Sequence, residues 1–177
     1  AKTGELDPTP GSGVEKGAFF PGAWDTTVVD GTAYGVPWYV ETRLIYYRKD
    51  LAQQAGVTVP PQTWDDLKAM AKGLKEKAGA RSGLYLQPGG TGSWQSFMPF
   101  AWSNGAEIGT SDKFTLDSPE MTEALAYYQS FFNEDLSVKV DVGLAGQLEQ
   151  SFINGTNGAF ISGPWHVGLL QEKGGAG

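Results

Sequence analysis

The chain has 177 residues with a formal net charge of −7 at pH 7, and it contains six tryptophans and no cysteine. Without cysteine it has no disulfide framework, thiol nucleophile or cysteine metal site, and an acidic chain without a run of Lys or Arg is not expected to bind nucleic acid or an anionic membrane. Its 40% hydrophobic and 19% charged residues are typical of a globular rather than a disordered chain.

The first 35 residues are rich in Gly, Pro and Thr and predict mainly loop, whereas the segment 36–47 predicts a long strand. That segment is dense in Val, Trp, Tyr and Ile, which favour extended backbone. Because side chains alternate along a strand, Tyr39, Glu41 and Arg43 are expected on one face.

After residue 47 the sequence predicts helices that alternate with short strands. Helix starts are marked by Asp50, by the capping-box pair Thr63 and Asp66, and by Ser118 followed by proline. Helices are predicted after Asp50 and over 63–78, 93–105, 118–133, 146–154 and 164–172, with strands over 83–87 and 158–162. This alternation predicts an α/β fold.

Apolar residues at helical spacing predict which side chains face the core. In the helix 118–133 they are Met121, Leu125, Tyr128 and Phe132. Packing roles are also predicted for three tryptophans: Trp24, Trp64 and Trp102.

The segment FISGPW places Trp165 directly after a strand and a glycine–proline break. In open α/β sheets ligands sit beyond the carboxyl ends of strands. A fixed indole suits the flat apolar side of a pyranose, and the carboxylate of Glu41 and the guanidinium of Arg43 suit its hydroxyls. The sequence therefore predicts a binding site for a neutral polar ligand, and the alternative is a buried tryptophan beside an internal salt bridge.

Catalytic chemistry finds little support in the sequence. The chain has one histidine, His166, which is expected to be structural or exposed because no second histidine or cysteine accompanies it as a metal ligand. Glu41 is the one carboxylate on a predicted strand among aromatic residues, but glycoside hydrolysis needs a second carboxylate about 5–10 Å away. No cofactor or metal is predicted, and a hydrolase that uses Glu41 remains an alternative.

Four segments in order resemble the bacterial extracytoplasmic solute-binding proteins of sugar ABC transporters, the family that includes maltose-binding protein. They are YGVPWYVETRLIYYRKDL, PPQTWDDLKAMAKGLK, SFMPFAWSNGAE and SFINGTNGAFISGPW. The resemblance covers most of the chain, from Tyr34 to Trp165.

The resemblance implies an α/β fold that is one lobe of a two-lobe periplasmic-binding-protein-like structure. Residues 1–35 would be a remnant of the first lobe or a loop, residues 36–47 the hinge-crossing strand, and residues 48–177 an incomplete second lobe. The family is usually about twice as long, so we expect the chain to be a fragment that carries half of a binding site and binds sugar weakly by itself.

The resemblance also implies roles for individual residues. Trp165 matches the tryptophan that stacks on a sugar ring, Glu41 matches a hinge-strand glutamate that bonds hydroxyls, and Arg43 matches an arginine that faces ligand in some members. Trp94 falls near an aromatic contact of the family. Further candidates are Tyr39, which strand parity with Glu41 favours, Trp38 and Gln95.

The function implied is a non-enzymatic receptor that presents a mono- or oligosaccharide to the membrane permease of an ABC importer. Such a receptor is expected to be monomeric and extracytoplasmic, in the periplasm or on the cell surface, with a lipid anchor in a segment that precedes residue 1. Two alternatives stay open: the glycoside hydrolase, and a receptor of the same fold for a non-sugar solute such as a polyamine or a metal chelate.

Overall fold

A computed structural model of the chain describes residues 14–110, 112–139 and 147–174. The chain forms two compact units and passes from the first to the second between Thr42 and Arg43. This boundary lies inside the segment 36–47. The domain roles expected for 1–35, 36–47 and 48–177 stay predictions.

The first unit contains a short helix and a small hairpin. Helix α1 (Pro21–Asp25) begins with proline at a first-turn position, where a missing N–H costs nothing. Strands β1 (Val28–Val29) and β2 (Thr32–Ala33) pair antiparallel across a two-residue turn in which both residues have positive φ. Helix α1 has five residues, too few to leave an apolar period in the sequence.

The regular strand in the segment 36–47 is shorter than predicted, because only β3 (Leu44–Tyr47) is paired. Its antiparallel partner is β4 (Ala159–Ser162), in the register Leu44↔Ser162 to Tyr47↔Ala159. Beyond Ser162 the strand β4 ends in a turn at a glycine and a proline, and proline has no N–H that could continue the ladder. The prediction of one continuous strand over 36–47 is therefore wrong, and the shared face of Tyr39, Glu41 and Arg43 stays a prediction.

The second unit carries six helices in its described residues. They are α2 (Lys49–Gln54), α3 (Trp64–Glu76), α4 (Trp94–Ser103), α5 (Pro119–Asn133), α6 (Gln147–Ile153) and α7 (Trp165–Gly174). Position 146, the predicted start of α6, lies outside the described residues. No helix in the described ranges is both long and apolar enough to span a bilayer.

Two of the three predicted helix caps are present in the structure. Thr63 and Asp66 form the predicted capping box of α3, and Ser118 accepts a hydrogen bond from the backbone N–H of Met121 in α5. Asp50 does not cap α2: it lies in the first turn, where its carboxylate pairs with Arg48 at 2.6 Å. A local ion pair therefore replaces the predicted side-chain cap.

The predicted strand 83–87 runs beside β4 without forming a regular ladder. Isolated parallel bridges join Ser82 to Asn157 and Tyr85 to Phe160. Between them, the backbone N–H groups of Gly83 and Leu84 both donate to the carbonyl of Leu136. Because these N–H groups bond to Leu136, the segment and β4 do not form a continuous parallel ladder.

The core lies among α3, α4, α5 and the segment 84–86, with α5 contributing Met121, Ala124, Tyr128 and Phe131. The predicted stripe was right at positions 121 and 128 and in part at Phe132, which is partly buried against the core, and wrong at Leu125, which is 45% exposed. Residues three and four apart both fall near one helix face, so spacing cannot choose between 124 and 125. The neighbouring helices make that choice.

We expect Phe131→Ala to lower the free energy of unfolding by about 3–5 kcal/mol, because it empties a fully buried site. Leu125→Ala, on the same helix, should change it by no more than about 1 kcal/mol, because that side chain is half exposed. Urea unfolding of both variants measures the difference. Equal losses of stability in the two variants would contradict the burial of Phe131 and the exposure of Leu125.

Candidate functional site

The turn between β4 and α7 presents Trp165 to solvent. Trp165 is the first residue of α7, and its side chain is 45% exposed, so the alternative of a fully buried indole is excluded. The carbonyl of Gly163 accepts two hydrogen bonds, from the Tyr46 hydroxyl at 2.8 Å and from the His166 backbone N–H at 3.2 Å. Burial raises the pKa of Tyr46, so its phenol keeps the donated proton at neutral pH. These bonds fix the turn that carries the indole.

The Trp165 ring lies directly on the Gly163 backbone. A Cβ added to Gly163 would fall 1.9 Å from Cζ3, 2.4 Å from Cη2 and 2.5 Å from Cε3 of Trp165. All three distances are far below a van der Waals contact, so the added carbon would overlap the six-membered ring. Only glycine leaves space for the ring in this position, which explains why a glycine stands two residues before the tryptophan.

The strand register brings Arg43 to Trp165. Because Leu44 pairs with Ser162, the residue before Leu44 and the residues after Ser162 leave the ladder at the same end. The Arg43 guanidinium carbon lies over the indole, 5.0 Å from its centroid. This is a cation–π distance.

Gln95 completes this group from a third element. Arg43 Nη2 donates a hydrogen bond to Gln95 Oε1 at 3.0 Å, which joins the start of α4 to the end of the β3–β4 ladder. The structure therefore brings together three of the predicted site residues, Arg43, Gln95 and Trp165. Trp94 is the first residue of α4, next to Gln95, and is largely exposed.

The other three predicted site residues, Trp38, Tyr39 and Glu41, belong to the first unit. Trp38 is 92% exposed, and Trp38 and Tyr39 help to line a cleft of about 420 Å³ within that unit. Glu41 is exposed and lines a neighbouring cleft of about 400 Å³ with the same two aromatic residues. Ligand contacts by these residues stay predictions, as they do for the residues of the second unit.

Of the three tryptophans predicted to have packing roles, two contact other aromatic rings and one is exposed. Trp64 stacks on Tyr127 with ring centroids 4.4 Å apart, and Trp24 contacts Phe19 at 5.7 Å. Trp102, by contrast, is 52% exposed, so its assignment to packing is wrong. It lies near the end of α4, where its side chain leaves the core.

His166 was expected to be either structural or exposed, and the structure shows that it is buried. Its Nε2 lies 3.2 Å from Oε1 of Glu149 on α6, and its ring packs against Phe160 with centroids 5.1 Å apart. Burial lowers the pKa of His166, and the nearby Glu149 carboxylate opposes that effect. Sequence reasoning missed Glu149; its position three residues before Phe152, hence on the same face of α6, was the available sign.

The described part of the chain contains no group of three or more His, Asp or Glu side chains that could hold a metal ion. The charged group beside the exposed indole is a guanidinium. The arrangement can offer an aromatic face and hydrogen-bond donors to a ligand.

Comparison with known proteins gives a consistent result. A family model described as "Bacterial extracellular solute-binding protein" matches residues 3–177. The chain is 31% identical over 160 residues to a binding protein of Brucella abortus, covering 89% of this chain, and 34% identical over 149 residues to an ABC transporter periplasmic-binding protein of Escherichia coli, covering 82%. The solved structure of the sugar-binding protein MalE from Xanthomonas citri is similar with a TM-score of 0.79 and 29% identity.

The chain spans only part of each of these proteins. It covers 39% of the Brucella relative, 34% of the Escherichia relative and 44% of the solved MalE chain, while 95% of this chain takes part in the structural match. The match confirms the predicted mixed α/β, periplasmic-binding-protein-like fold, of which this chain covers a part.

We expect Gly163→Ala to displace the Trp165 indole, because the added methyl group would occupy the ring's position. Fluorine NMR of chain labelled with 5-fluorotryptophan measures this, with the Trp165 resonance assigned by Trp165→Phe. Gly168→Ala, in the helix that Trp165 begins and with open space around the added carbon, is the control and should leave that resonance in place. An unchanged Trp165 resonance in Gly163→Ala would contradict the contact.

Proposed function

This chain belongs to the bacterial extracellular solute-binding proteins, and from that membership we propose that it binds a sugar, with Trp165 as the stacking surface. The observation that carries the proposal is the half-exposed indole, held on Gly163 with the Arg43 guanidinium against it. The family and the relatives are binding proteins rather than enzymes, so the proposed role is non-enzymatic.

The physical basis of the proposal is that the group formed by Trp165 and Arg43 is complementary to a pyranose. A pyranose has an apolar C–H face and polar hydroxyl edges. Stacking on Trp165 removes apolar area from water, and each 100 Å² so removed contributes about 2.5 kcal/mol. Arg43 carries donors in a planar fork that suits hydroxyl oxygens. Gln95 fixes the direction of that fork through its hydrogen bond.

We further propose that Glu41 accepts hydrogen bonds from sugar hydroxyls and that Tyr39, Trp38 and Trp94 supply additional aromatic surface. The exposure of these side chains supports the proposal, since each is accessible to a ligand. Trp38 and Tyr39 also line one cleft together, and a cluster of exposed aromatic residues marks an interaction site more often than a single exposed residue does.

For the whole protein we propose delivery of the sugar to the permease subunits of an ABC importer, in a monomeric and extracytoplasmic form held at the membrane by a lipid anchor. The similarity to the ABC transporter periplasmic-binding protein of Escherichia coli supports the transporter partnership. A non-sugar solute is the second candidate ligand class. A hydrolase that uses Glu41 gains no support from the family.

The test is isothermal calorimetry on the full-length form of the protein with maltose, maltotriose, N,N′-diacetylchitobiose, mannitol and spermidine as probes. We expect at least one pyranose sugar to bind, and Trp165→Ala to weaken it by at least tenfold, which is about 1.4 kcal/mol. Mannitol has no ring face, so any binding of it should depend little on Trp165.

Trp102→Ala is the matched control, because Trp102 is an equally exposed tryptophan on another helix. This variant should bind as the wild type does. Equal affinities of the Trp165→Ala variant and the wild type would remove stacking from the proposal, and binding of spermidine alone would favour the non-sugar receptor.

A further inference from the structure

A buried polar pair lies beneath the exposed indole and takes no part in the proposed sugar contacts. His166 and Glu149 are each 7% exposed, and they join the first turn of α7 to α6. Ionisable side chains are seldom buried to this degree unless they are paired. The pair therefore needs an explanation of its own.

We propose that His166 is a positioning residue for Trp165, and that its protonation, opposite Glu149, shifts the indole and weakens sugar binding. The part that concerns sugar rests on the proposed function. The part that concerns the indole does not.

The connection between His166 and the indole is short. His166 directly follows Trp165, and their ring centroids are 5.9 Å apart. The His166 backbone N–H donates to the Gly163 carbonyl, the same oxygen that accepts from Tyr46, and the indole lies on Gly163. A displacement of His166 is therefore transmitted to the turn and to the ring resting on it.

The present arrangement suits a neutral imidazole. Among the described protein groups, neither ring nitrogen of His166 has an aligned hydrogen-bond partner, although Glu149 is only 3.2 Å away. A proton on the ring would draw it into a charge-assisted hydrogen bond with that carboxylate. It would also place positive charge in the first turn of a helix, where the macrodipole disfavours it.

The groups around His166 come from four elements. Glu149 on α6 favours the protonated ring, while Lys173, farther along α7 and 3.7 Å from Glu149 Oε2, opposes it. Tyr46 on β3 stays uncharged, and Phe160 on β4 is apolar. Arg43 lies over the adjacent Trp165 and adds a further positive charge.

The balance of these groups sets the sign of the pH dependence. Burial lowers the pKa of His166 in the folded chain, so the unfolded chain binds the proton more readily. The stability contributed by the neutral ring is present above about pH 6.5, the ordinary value for histidine, and is lost as the pH falls through the lowered folded-state value. The structural change is expected over the same range.

Two NMR signals test the coupling without any ligand. His166 is the only histidine of the chain, so its imidazole resonances need no assignment by mutation. In chain labelled with 5-fluorotryptophan we expect the Trp165 resonance to move as the pH falls below about 6.5, the ordinary histidine value, because burial lowers the pKa of His166. Its midpoint should equal that of the imidazole, and the Trp102 resonance should stay in place.

Three variants separate a proton-driven shift from a merely structural role. His166→Gln should abolish the pH dependence of the Trp165 resonance. Glu149→Gln should lower both midpoints together, because it removes the carboxylate that stabilises the charged ring. Glu172→Gln, which changes an exposed acid on the same helix as His166, should leave both midpoints unchanged. Should His166→Gln fail to fold, the Glu149→Gln midpoints decide.

A Trp165 resonance that stays constant while His166 titrates would overturn the proposal, as would midpoints that differ or a His166 that stays neutral throughout the range. If only the neutral form binds, sugar affinity should fall by about tenfold for each pH unit below the midpoint. An affinity that is constant while the indole moves would overturn the link to sugar. Failure of every probe to bind at any pH would refute the proposed function and leave the NMR result to judge the coupling.

Discussion

The contact between the Trp165 indole and the bare backbone of Gly163 is the constraint on which the candidate site depends. The position that a Cβ of residue 163 would take lies 1.9 Å from the ring, so the ring and any side chain there exclude each other. The contact holds a large aromatic surface half exposed without leaving it mobile. Proline at 164 fixes φ between the two residues and further limits the conformations of the turn.

The β3–β4 ladder converts this local contact into a site. The pairing of Leu44 with Ser162 brings two stretches of chain more than a hundred residues apart to one end of the ladder, where Arg43 covers the indole and Tyr46 holds the Gly163 carbonyl. Each of these interactions is worth only about 1 kcal/mol. Together they place an aromatic ring and a guanidinium side by side before any ligand arrives, and such preorganisation lowers the entropic cost of binding.

The polar residues of this region divide according to burial. Arg43 and Gln95 are accessible and joined to each other, which suits hydrogen bonding with a polar solute. His166 is enclosed among aromatic rings and faces the buried Glu149, so a change of charge there has a high free-energy cost and a correspondingly large structural effect. The same turn thus links groups suited to ligand contact with groups suited to controlling its geometry.

The sequence by itself determined the local features: the capping box at Thr63, the helix that begins after Ser118 and the strand before Gly163, because each follows from neighbours in the chain. It also carried the motifs from which the family was recognised. The exposure of Trp165 was decided by the structure. Tertiary structure decided where β3 ends, which residues of α5 are buried, and that Trp102 is exposed. It alone joined Arg43 to Gln95 and Trp165 and enclosed His166 with Glu149, because strand register and helix packing set these distances, and no local pattern encodes them.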